Sequence, residues 1–597
     1  MTSDLTLGMA GSGGDGIVSA GESLMGAFAQ GGYRAVMTKS FGSQIRGGES
    51  SCRLRVSTGS VLSLGGALDV AVALDWDEFL RFGAELPVSG HTTVVYESAS
   101  GVKPDALPLL GVTPAAALPV PLTEMARELG GSERTKSAVV LGLLSGWLAL
   151  DPELVLGAVR RRLARRGAEV VQGAERAFAA GLDYARTHVL SSPRAGPLER
   201  SSGSPKLLAD GNSLCAAAAL FAGCRFFAGY PITPSSEIMQ FLGREIWKHG
   251  GVMLQAEDEI AGAGAALGAS FAGAKAMTAT SGPGMSLMAE VLGLATMAEL
   301  PLVCVDVQRG GPSTGMPTKS EQSDLFQAVF SAHGDVVRPV LAPTTVEDTF
   351  RLTVEAFNVA EKYQTPVILL SDQEIAQRKE TFDPIDTSGL RLESRRVASG
   401  AELQGFERFR LTDSGVSPMS HPGTPGGSYL ASGIEHNERG APTARGDIHA
   451  RMNEKRISKL RPLERRRDLF RIEGDKDAPL GLVAWGSLAG VASEALEIAR
   501  AEGLRAKLLV PLLLYPVARE IYRDFFSSIR RGIVVDQSHQ GQLHRLLRMF
   551  VDVPPGVESF ARSGSNPISP AELRDRLRQL ALTLQRQEAP EMEPQLG

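Results

Sequence analysis

Three segments in the middle of the chain carry residue types that could act on a small anion. In AEDEIAGAGAALGASFAGA the acids Glu257, Asp258 and Glu259 precede an Ala/Gly run so lean in side chains that another backbone or a flat cofactor could pack directly on it. Taken alone, an acid triplet at a helix start is ordinarily a solvated cap that offsets the helix dipole. In GYPITPSSE, Gly229 to Glu237, an apolar run turns through two prolines into a helix start, where Thr233, Ser235 and Ser236 could receive a carboxylate. In VQRGGPSTGMPTKSEQSDL, Arg309 follows the apolar run PLVCVDV, at the place where the C-terminal ends of parallel strands present ligands. Between these segments TATSGPGMSLM, which holds Gly282, reads as strand, turn and helix.

Nearer the N-terminus, Gly11, Gly13 and Gly16 in GSGGDG match GxGxxG between an apolar run and a helical pattern, the context in which that fingerprint grips a pyrophosphate. About 20 residues on, the chain reads VMTKS, without the acid that holds a ribose hydroxyl, and no GK[ST] follows. The loop therefore reads as a tight phosphate-binding or packing turn rather than an NAD site. SFGSQIRGGES sets Arg46 beside Gly47 and Gly48, which suits a phosphate, a partner chain or a plain surface turn. Cys52, Cys215, Cys224 and Cys304 form no CxxC and no cluster, which excludes a disulfide scaffold and argues against an iron-sulfur or zinc site in this chain. His421, His436, His449 and His539 lack metal-ligand spacing and read as capping or hydrogen-bonded loop residues.

The elements that must position these residues follow from the glycines and the apolar runs. With 597 residues the chain suggests about three or four domains, and 43% hydrophobic with 22% charged residues excludes disorder, collagen and coiled coil. Sixty-two Lys plus Arg against 67 Asp plus Glu give no basic excess for nucleic acid or an anionic membrane. The stretch Ala138 to Leu150 is 13 residues long, a core helix and too short to span a bilayer. No charged leader or cleavage pattern opens the sequence, so a cytoplasmic location is expected. The 66 glycines, many at the ends of apolar runs, point to an α/β fold.

Strand-like runs (LTLGMAG, YRAVMTKS, SSCRLRVS, VAVALD, TTVVYE, AAALPVP) alternate with helical patterns over residues 1–190. In DPELVLGAVRRRLARRG, Asp151 and Pro152 fit a helix start and Gly167 its stop. Residues 191–205 read as a Ser/Pro/Gly linker. Residues 206–385 read as βαβ units around a mainly parallel sheet through RFFAGYPI, KAMTAT, LPLVCVDV and TPVILLSD. Residues 386–474 form an irregular connector, residues 475–585 a further α/β domain built on GLVAWGS, RAKLLVPLLLYP and RGIVVDQ, and residues 586–597 a loose tail.

In this order and spacing, these pieces resemble the α subunit of the 2-oxoacid:ferredoxin oxidoreductases with a γ domain fused at its N-terminus. The GSGGDG start and FGSQIRGG resemble the γ module, GYPITPSSE through VQRGG the thiamine-pyrimidine module, and AWGS, VPLLLYP and VVDQSHQGQL its transketolase C-terminal-like domain. GGPSTGMPTKSEQSDL, SGIEHNERG and MNEKRISKL are most like the 2-oxoglutarate members.

The resemblance implies a multidomain α/β enzyme that oxidatively decarboxylates 2-oxoglutarate with coenzyme A, giving succinyl-CoA, carbon dioxide and reduced ferredoxin. Glu259, with Glu257 as the fallback, stands for the carboxyl that hydrogen-bonds the aminopyrimidine of thiamine diphosphate. Tyr230, Pro231, Ile232 and Gly282 would lie on the same pyrimidine side. Thr233 and Arg309 would bind the 2-oxoacid, Arg309 by a bidentate pair. Lys319, His333 and Arg338 are possible partners of the distal carboxylate. Arg46 and Gly47, or the basic run RMNEKRISKLRPLERRRDLFR, would meet coenzyme A; that run also suits a solvated or docking face. The GDG of thiamine enzymes, followed by Asn some 25 to 30 residues on in the family pattern, is missing here: the one GDG, Gly14 to Gly16, has no Asn before Asn212. That absence fits a half-site: in the family it resembles, a β chain carries the diphosphate, Mg2+ and a 4Fe-4S cluster, so the resemblance implies an αβ or (αβ)2 assembly, with no metal held by this chain. Pyruvate as substrate, a non-oxidative thiamine enzyme and a non-catalytic binding protein are the alternatives; the fused N-terminal domain counts against the second.

Overall fold

The computed structural model describes residues 2–42, 49–82, 85–102, 111–564 and 567–588. It divides into two compact units, one of Met1–Asp210, Gln377–Ile385 and Ser565–Pro570, the other of Gly211–Ala376, Asp386–Gly564 and Ala571–Gly597. The boundaries differ from those expected at 206 and 385, because two short strands leave the middle of the sequence for the first unit. Among the described residues, no helix is long and apolar enough to cross a membrane.

The first unit is built on an eight-stranded mixed sheet. Its order is Ala116–Val120, Thr93–Glu97, Val70–Ala73, Asp4–Gly11, Ser50–Ser57, Arg34–Phe41, Lys379–Phe382 and Leu207–Asp210. The first four strands run parallel and the rest antiparallel. The core helix is Lys136–Trp147, and it lies directly on Ala168–Thr187 because both carry glycine at the crossing. A Cβ on Gly142 would sit 1.9 Å from Phe178 O, and one on Gly181 2.0 Å from Val139 O. Asp151 caps Pro152–Leu163 as expected, and Gly167 ends the 3₁₀ turn Ala164–Arg166 that follows it and opens the helix Ala168–Thr187 at once. Residues 191–205 are no free linker. Leu198 is 3% exposed in the apolar core, and its N–H donates to Leu148 O at 2.8 Å.

The second unit holds two sheets. In the seven-stranded one the order is Leu513–Tyr515, Val340–Leu341, Pro366–Asp372, Leu302–Gln308, Ala276–Thr280, Phe226–Gly229 and Val252–Gln255, parallel throughout except for the first pair. The five-stranded one runs Phe470–Gly474, Ala506–Pro511, Leu480–Ala484, Arg531–Asp536 and Val557–Ala561, antiparallel only at its first pair. The single apolar run RAKLLVPLLLYP thus serves both sheets, breaking at Leu512. The connector is irregular up to Arg445 and then forms the helix Gly446–Ser458. It is anchored by buried charge: Arg395 pairs with Glu361 at 2.5 Å, and Lys455 and Lys459 each take one carboxylate oxygen of the wholly buried Glu299. The expected tail lies outside the described residues from 589 on.

Candidate functional site

The site grows from the C-terminal ends of the seven-stranded sheet, as open parallel sheets dictate. Phe226–Gly229 ends in the turn Tyr230–Ser235, which Asn212 pins by donating from Nδ2 to Pro234 O at 2.7 Å and Glu237 Oε2 at 3.1 Å. Ser235 Oγ is spent on Ile232 O. Tyr230 and Pro231 are exposed; Ile232 and Thr233 are half-buried. The next strand feeds the helix Glu259–Phe271, whose first turn sorts the acid triplet. Glu257 points to solvent, Asp258 caps the helix by accepting from Ala261 N at 2.7 Å, and Glu259 is 7% exposed.

Three glycines allow close packing around the acids, and Gly284 makes the room for Glu259. A Cβ on Gly262 would approach Gly229 Cα to 3.0 Å, so the helix lies against the strand end, and one on Gly284 would meet Glu259 Cγ at 2.6 Å. A Cβ on Gly282 would reach the Asp324 carboxylate at 2.7 Å. The face of the helix turned away from the sheet is open: Ile260 is 51% exposed, and nothing lies within 4 Å of a Cβ at Gly264 or Gly268.

Arg309 follows the strand Leu302–Gln308, 6% exposed, and donates from Nη1 to Thr233 O at 2.6 Å. Its Nε has no partner among the described residues. Burial lowers its pKa, against the attraction of Asp324. On the same strand Asp306 is wholly buried, and neither of its carboxyl oxygens, nor Asp324 Oδ2, has a hydrogen-bond partner among the described residues. Burial, then the charge of Asp324, pushes the Asp306 carboxyl far up; burial and Glu321 push Asp324 up to about 7. Arg309, Asp324, Gly282, Glu321, Ser313 and His539 line a cleft of about 730 Å³.

The five-stranded sheet fixes the loop that carries Asp324. Gln322 donates to Trp485 O at 2.9 Å, Gln542 donates to Ser323 O at 2.7 Å and accepts from Phe326 N at 2.8 Å, and Gly564 N donates to Glu321 Oε1 at 2.6 Å. Behind these contacts Trp485 Nε1 donates to the buried Asp536, whose carboxyl burial pushes up to about 6.

The structure thus brings Glu259, Gly282, Thr233 and Arg309 to the ends of adjacent strands. It does not gather the three residues suggested for a distal carboxylate. Arg338 is fully enclosed beside Cys304, its pKa lowered by burial to about 10, and His333 is exposed; neither lines the cleft. Lys319 is half-buried, its carbonyl bound by Gly310 N. Arg46 and Gly47 lie outside the described residues. The basic run is split: Lys455, Arg456 and Lys459 turn inward onto Glu299 and Glu435, and Arg451, Arg461, Arg465 and Arg467 face solvent. The GSGGDG turn is filled by its own anion. Asp15 accepts from Ser12 N at 2.9 Å and pairs with Lys136 at 2.9 Å. Sequence reasoning missed Asp306 and Asp324, although an acid within the otherwise apolar PLVCVDV was a signal.

Comparison with known proteins agrees with this geometry. A family profile described as pyruvate flavodoxin/ferredoxin oxidoreductase, thiamine diphosphate-binding, matches residues 217–454, and one described as pyruvate ferredoxin/flavodoxin oxidoreductase matches residues 6–184. The 2-oxoglutarate synthase subunit KorA of Methanothermobacter marburgensis is 37% identical over 62% of this chain and 97% of its own length. Subunit alpha of 2-oxoacid:ferredoxin oxidoreductase 2 of Aeropyrum pernix is 30% identical over 97% of this chain and 98% of its own. Among solved structures, the 2-oxoglutarate:ferredoxin oxidoreductase of Magnetococcus marinus, with 2-oxoglutarate, coenzyme A and succinyl-CoA bound, superimposes with a TM-score of 0.91 at 35% identity, over 97% of this chain and 100% of that one.

Proposed function

Because the chain belongs to the 2-oxoacid:ferredoxin oxidoreductase family, as a subunit of a thiamine diphosphate-dependent 2-oxoglutarate:ferredoxin oxidoreductase, we propose that it supplies the pyrimidine half of the thiamine site and the 2-oxoacid-binding cleft. The observation that carries this reading is the burial of Glu259 at the start of a helix that keeps an open small-residue face.

A buried carboxyl framed by Gly262 and Gly284, with exposed Tyr230, Ile260 and Leu287 around it, fits the polar edge and flat apolar face of an aminopyrimidine. When bound, thiamine diphosphate supplies the carbon nucleophile and the electron sink for decarboxylation. Glu259 holds the proton that fixes the tautomer of the ring it faces. Arg309, kept in place by Thr233 O, turns its guanidinium to the carboxylate and keto oxygen of the 2-oxoacid, and the Thr233 hydroxyl completes that contact.

The diphosphate, Mg2+ and a 4Fe-4S cluster are assigned to a β chain that covers the open face of the helix Glu259–Phe271. All four cysteines here are buried, and burial raises each thiol; Cys304 Sγ packs against Met285 and Met288 Sδ at 3.5 Å. Such thiols serve packing rather than cluster ligation. The product thioester forms on coenzyme A, electrons leave to ferredoxin, and the working assembly is αβ or (αβ)2 in the cytoplasm. Residues 1–190, 206–385 and 475–585 act as the γ-type, pyrimidine-binding and transketolase C-terminal-like parts.

The test is anaerobic viologen reduction by this chain co-expressed with its β partner. Reduction is expected with 2-oxoglutarate plus coenzyme A and only with the partner present. Carbon dioxide release without dye reduction would replace the reading by a non-oxidative one, and equal rates with pyruvate would remove the substrate assignment.

A further inference from the structure

We propose that Asp306 and Asp324 form a carboxyl pair that shares one proton, and that Asp324, the member lining the cleft, takes up the proton which the thiol co-substrate releases on becoming a thioester. The inference rests on reading this cleft as the site where 2-oxoacid and thiol react.

The geometry is that of a proton store. Buried polar atoms find partners almost without exception, yet both oxygens of the wholly buried Asp306 and Oδ2 of Asp324 have none from any other described group. Two adjacent carboxyl groups resolve this when one proton lies between them, since two like charges in low dielectric cannot both persist. The backbone around the pair is held at three points. Asp324 N donates to Gln308 Oε1 at 3.0 Å on the same strand as Asp306, Gln542 holds Ser323 O, and Gln327 Nε2 donates to Gly282 O at 3.0 Å.

The charged and titratable groups facing the pair are few. Arg309 lies on the cleft side and Glu321 on the loop; Cys304 and, beyond it, Arg338 lie behind Asp306; Glu259 stands across Gly284; His539 faces the same cleft. Arg309 is committed to Thr233 O and, in the proposed reading, to the substrate carboxylate. Glu321 already accepts from Gly564 N and Ser323 Oγ. Of the acids on the cleft wall, Asp324 is therefore the one with an oxygen to spare. A group that titrates at about 7 is matched to accepting a proton near neutral pH.

The step balances. The S–H bond of the thiol breaks and its electron pair forms the C–S bond to the acyl carbon; the bond from that carbon to its carrier breaks and its pair returns to the carrier, the two electrons of the oxidation having left to the ferredoxin acceptor; and the proton moves to an Asp324 oxygen, from which it leaves to solvent while Asp306 keeps its own. Asp324 is the catalytic residue of this step. Asp306 is a positioning residue that sets the affinity of Asp324 for the proton.

The test uses the anaerobic αβ complex with thiamine diphosphate, 2-oxoglutarate and saturating coenzyme A. The wild type should lose turnover as pH falls through about 7, because a protonated Asp324 cannot accept. Asp324→Asn should lower kcat by about 10² to 10⁴-fold and abolish that acid limb. Asp306→Asn removes the O–H that the shared proton directs at the Asp324 carboxylate, so that carboxylate is less stabilised and the limb should move up by about one pH unit. Infrared difference spectra, wild type minus variant at pH 8, should show the C=O stretch of a protonated carboxyl. Should Asp306→Asn fail to fold, the Asp324→Asn difference spectrum reads the same proton. An Asp324→Asn kcat within threefold of wild type, or an acid limb unmoved in Asp306→Asn, overturns the catalytic step; absence of a protonated carboxyl overturns the pair. If the wild-type complex reduces no dye at all, the site reading falls instead, and the infrared difference still decides whether the proton is shared.

Discussion

The strand Leu302–Gln308 has a buried charge cluster at each end, and the two are opposites. Before its start, one acid meets an excess of cations: Glu299 gives one oxygen each to Lys455 and Lys459, and Arg408 Nη2 donates to the Glu299 carbonyl at 2.6 Å. Burial alone would raise the Glu299 carboxyl, but the two lysines and Arg408 hold it well below the usual range. At the far end are two acids, Asp306 and Asp324, with one cation, Arg309, whose charge acts on Asp324, and atoms of all three have no partner among the described residues. In the first arrangement the carboxylate is fully paired, although Arg408 Nε and Nη1 have no partner among the described residues, and it ties the connector helix to the sheet. The second is left unsatisfied at a cleft wall, where a ligand can complete it. What separates the two ends is therefore that the unpaired carboxyls lie at a cleft wall, whereas the carboxylate of Glu299 is paired and enclosed.

The largest effects should separate the two ends cleanly. Glu259→Gln, at the cleft end, is expected to cut turnover of the αβ complex by about two to four orders of magnitude with folding and assembly intact, read by dye reduction and gel filtration. A loss of only a few-fold would return the acid triplet to a helix cap. Glu299→Gln should do the reverse. Removing one partner of a buried ion cluster costs about 3–5 kcal/mol of stability, measured by the denaturant midpoint of the second unit, with KM for the 2-oxoacid unchanged in what remains folded. The depressed carboxyl of Glu299 adds stability above the unfolded value of about 4.3. That stability is lost as pH falls through the still lower folded value, so the gap between variant and wild type should narrow in acid.

The contrast was only half legible in the sequence. Long apolar runs such as LPLVCVDV and TPVILLSD give away central strands, since both faces are buried. Leu207–Asp210, Val252–Gln255, Lys379–Phe382, Phe470–Gly474 and Val557–Ala561 escape, because at or next to sheet edges half of each strand faces outward and its residues are mixed. Thr233, Glu259 and Arg309 can be named from motifs that keep their spacing along the chain. The cleft wall cannot. Its glutamines and His539 come from a sheet more than 200 residues downstream, joined to the loop only by contacts such as Gln542 to Ser323, which span 219 positions. Lys455 and Lys459 mislead for the same reason. In a basic run they look solvated, and only the folded chain shows Glu299 beneath them.

Arg309→Lys sharpens the cleft end without abolishing it. A lysine keeps the charge but loses the planar fork that bonds Thr233 O and a carboxylate together. KM for 2-oxoglutarate should rise by about 10 to 100-fold while kcat falls less, about 1.4–2.7 kcal/mol of substrate binding. An unchanged KM would detach Arg309 from the substrate and leave it a tie between two strand ends.

The smallest effect is the most discriminating, because its sign is opposite to intuition about buried charge. In the folded chain the Asp306 carboxyl holds its proton far above the usual carboxylate range, by burial first and then by Asp324; in the unfolded chain it ionises at about 3.9. Between those values the folded state binds more protons than the unfolded one, so the contribution of Asp306 to stability falls as pH rises. Asp306→Asn removes that dependence and the desolvation cost together. At pH 8 the variant should be more stable than wild type by about 0.5–2 kcal/mol, the usual yield when a functional site gives up an unfavourable group, and the advantage should shrink as pH falls toward about 4. Glu299→Gln also loses its difference in acid, but from the opposite side. If Asp306→Asn instead destabilised the chain at pH 8, the proton shared with Asp324 would outweigh the cost of burying the carboxyl, and both ends of the strand would be net stabilising.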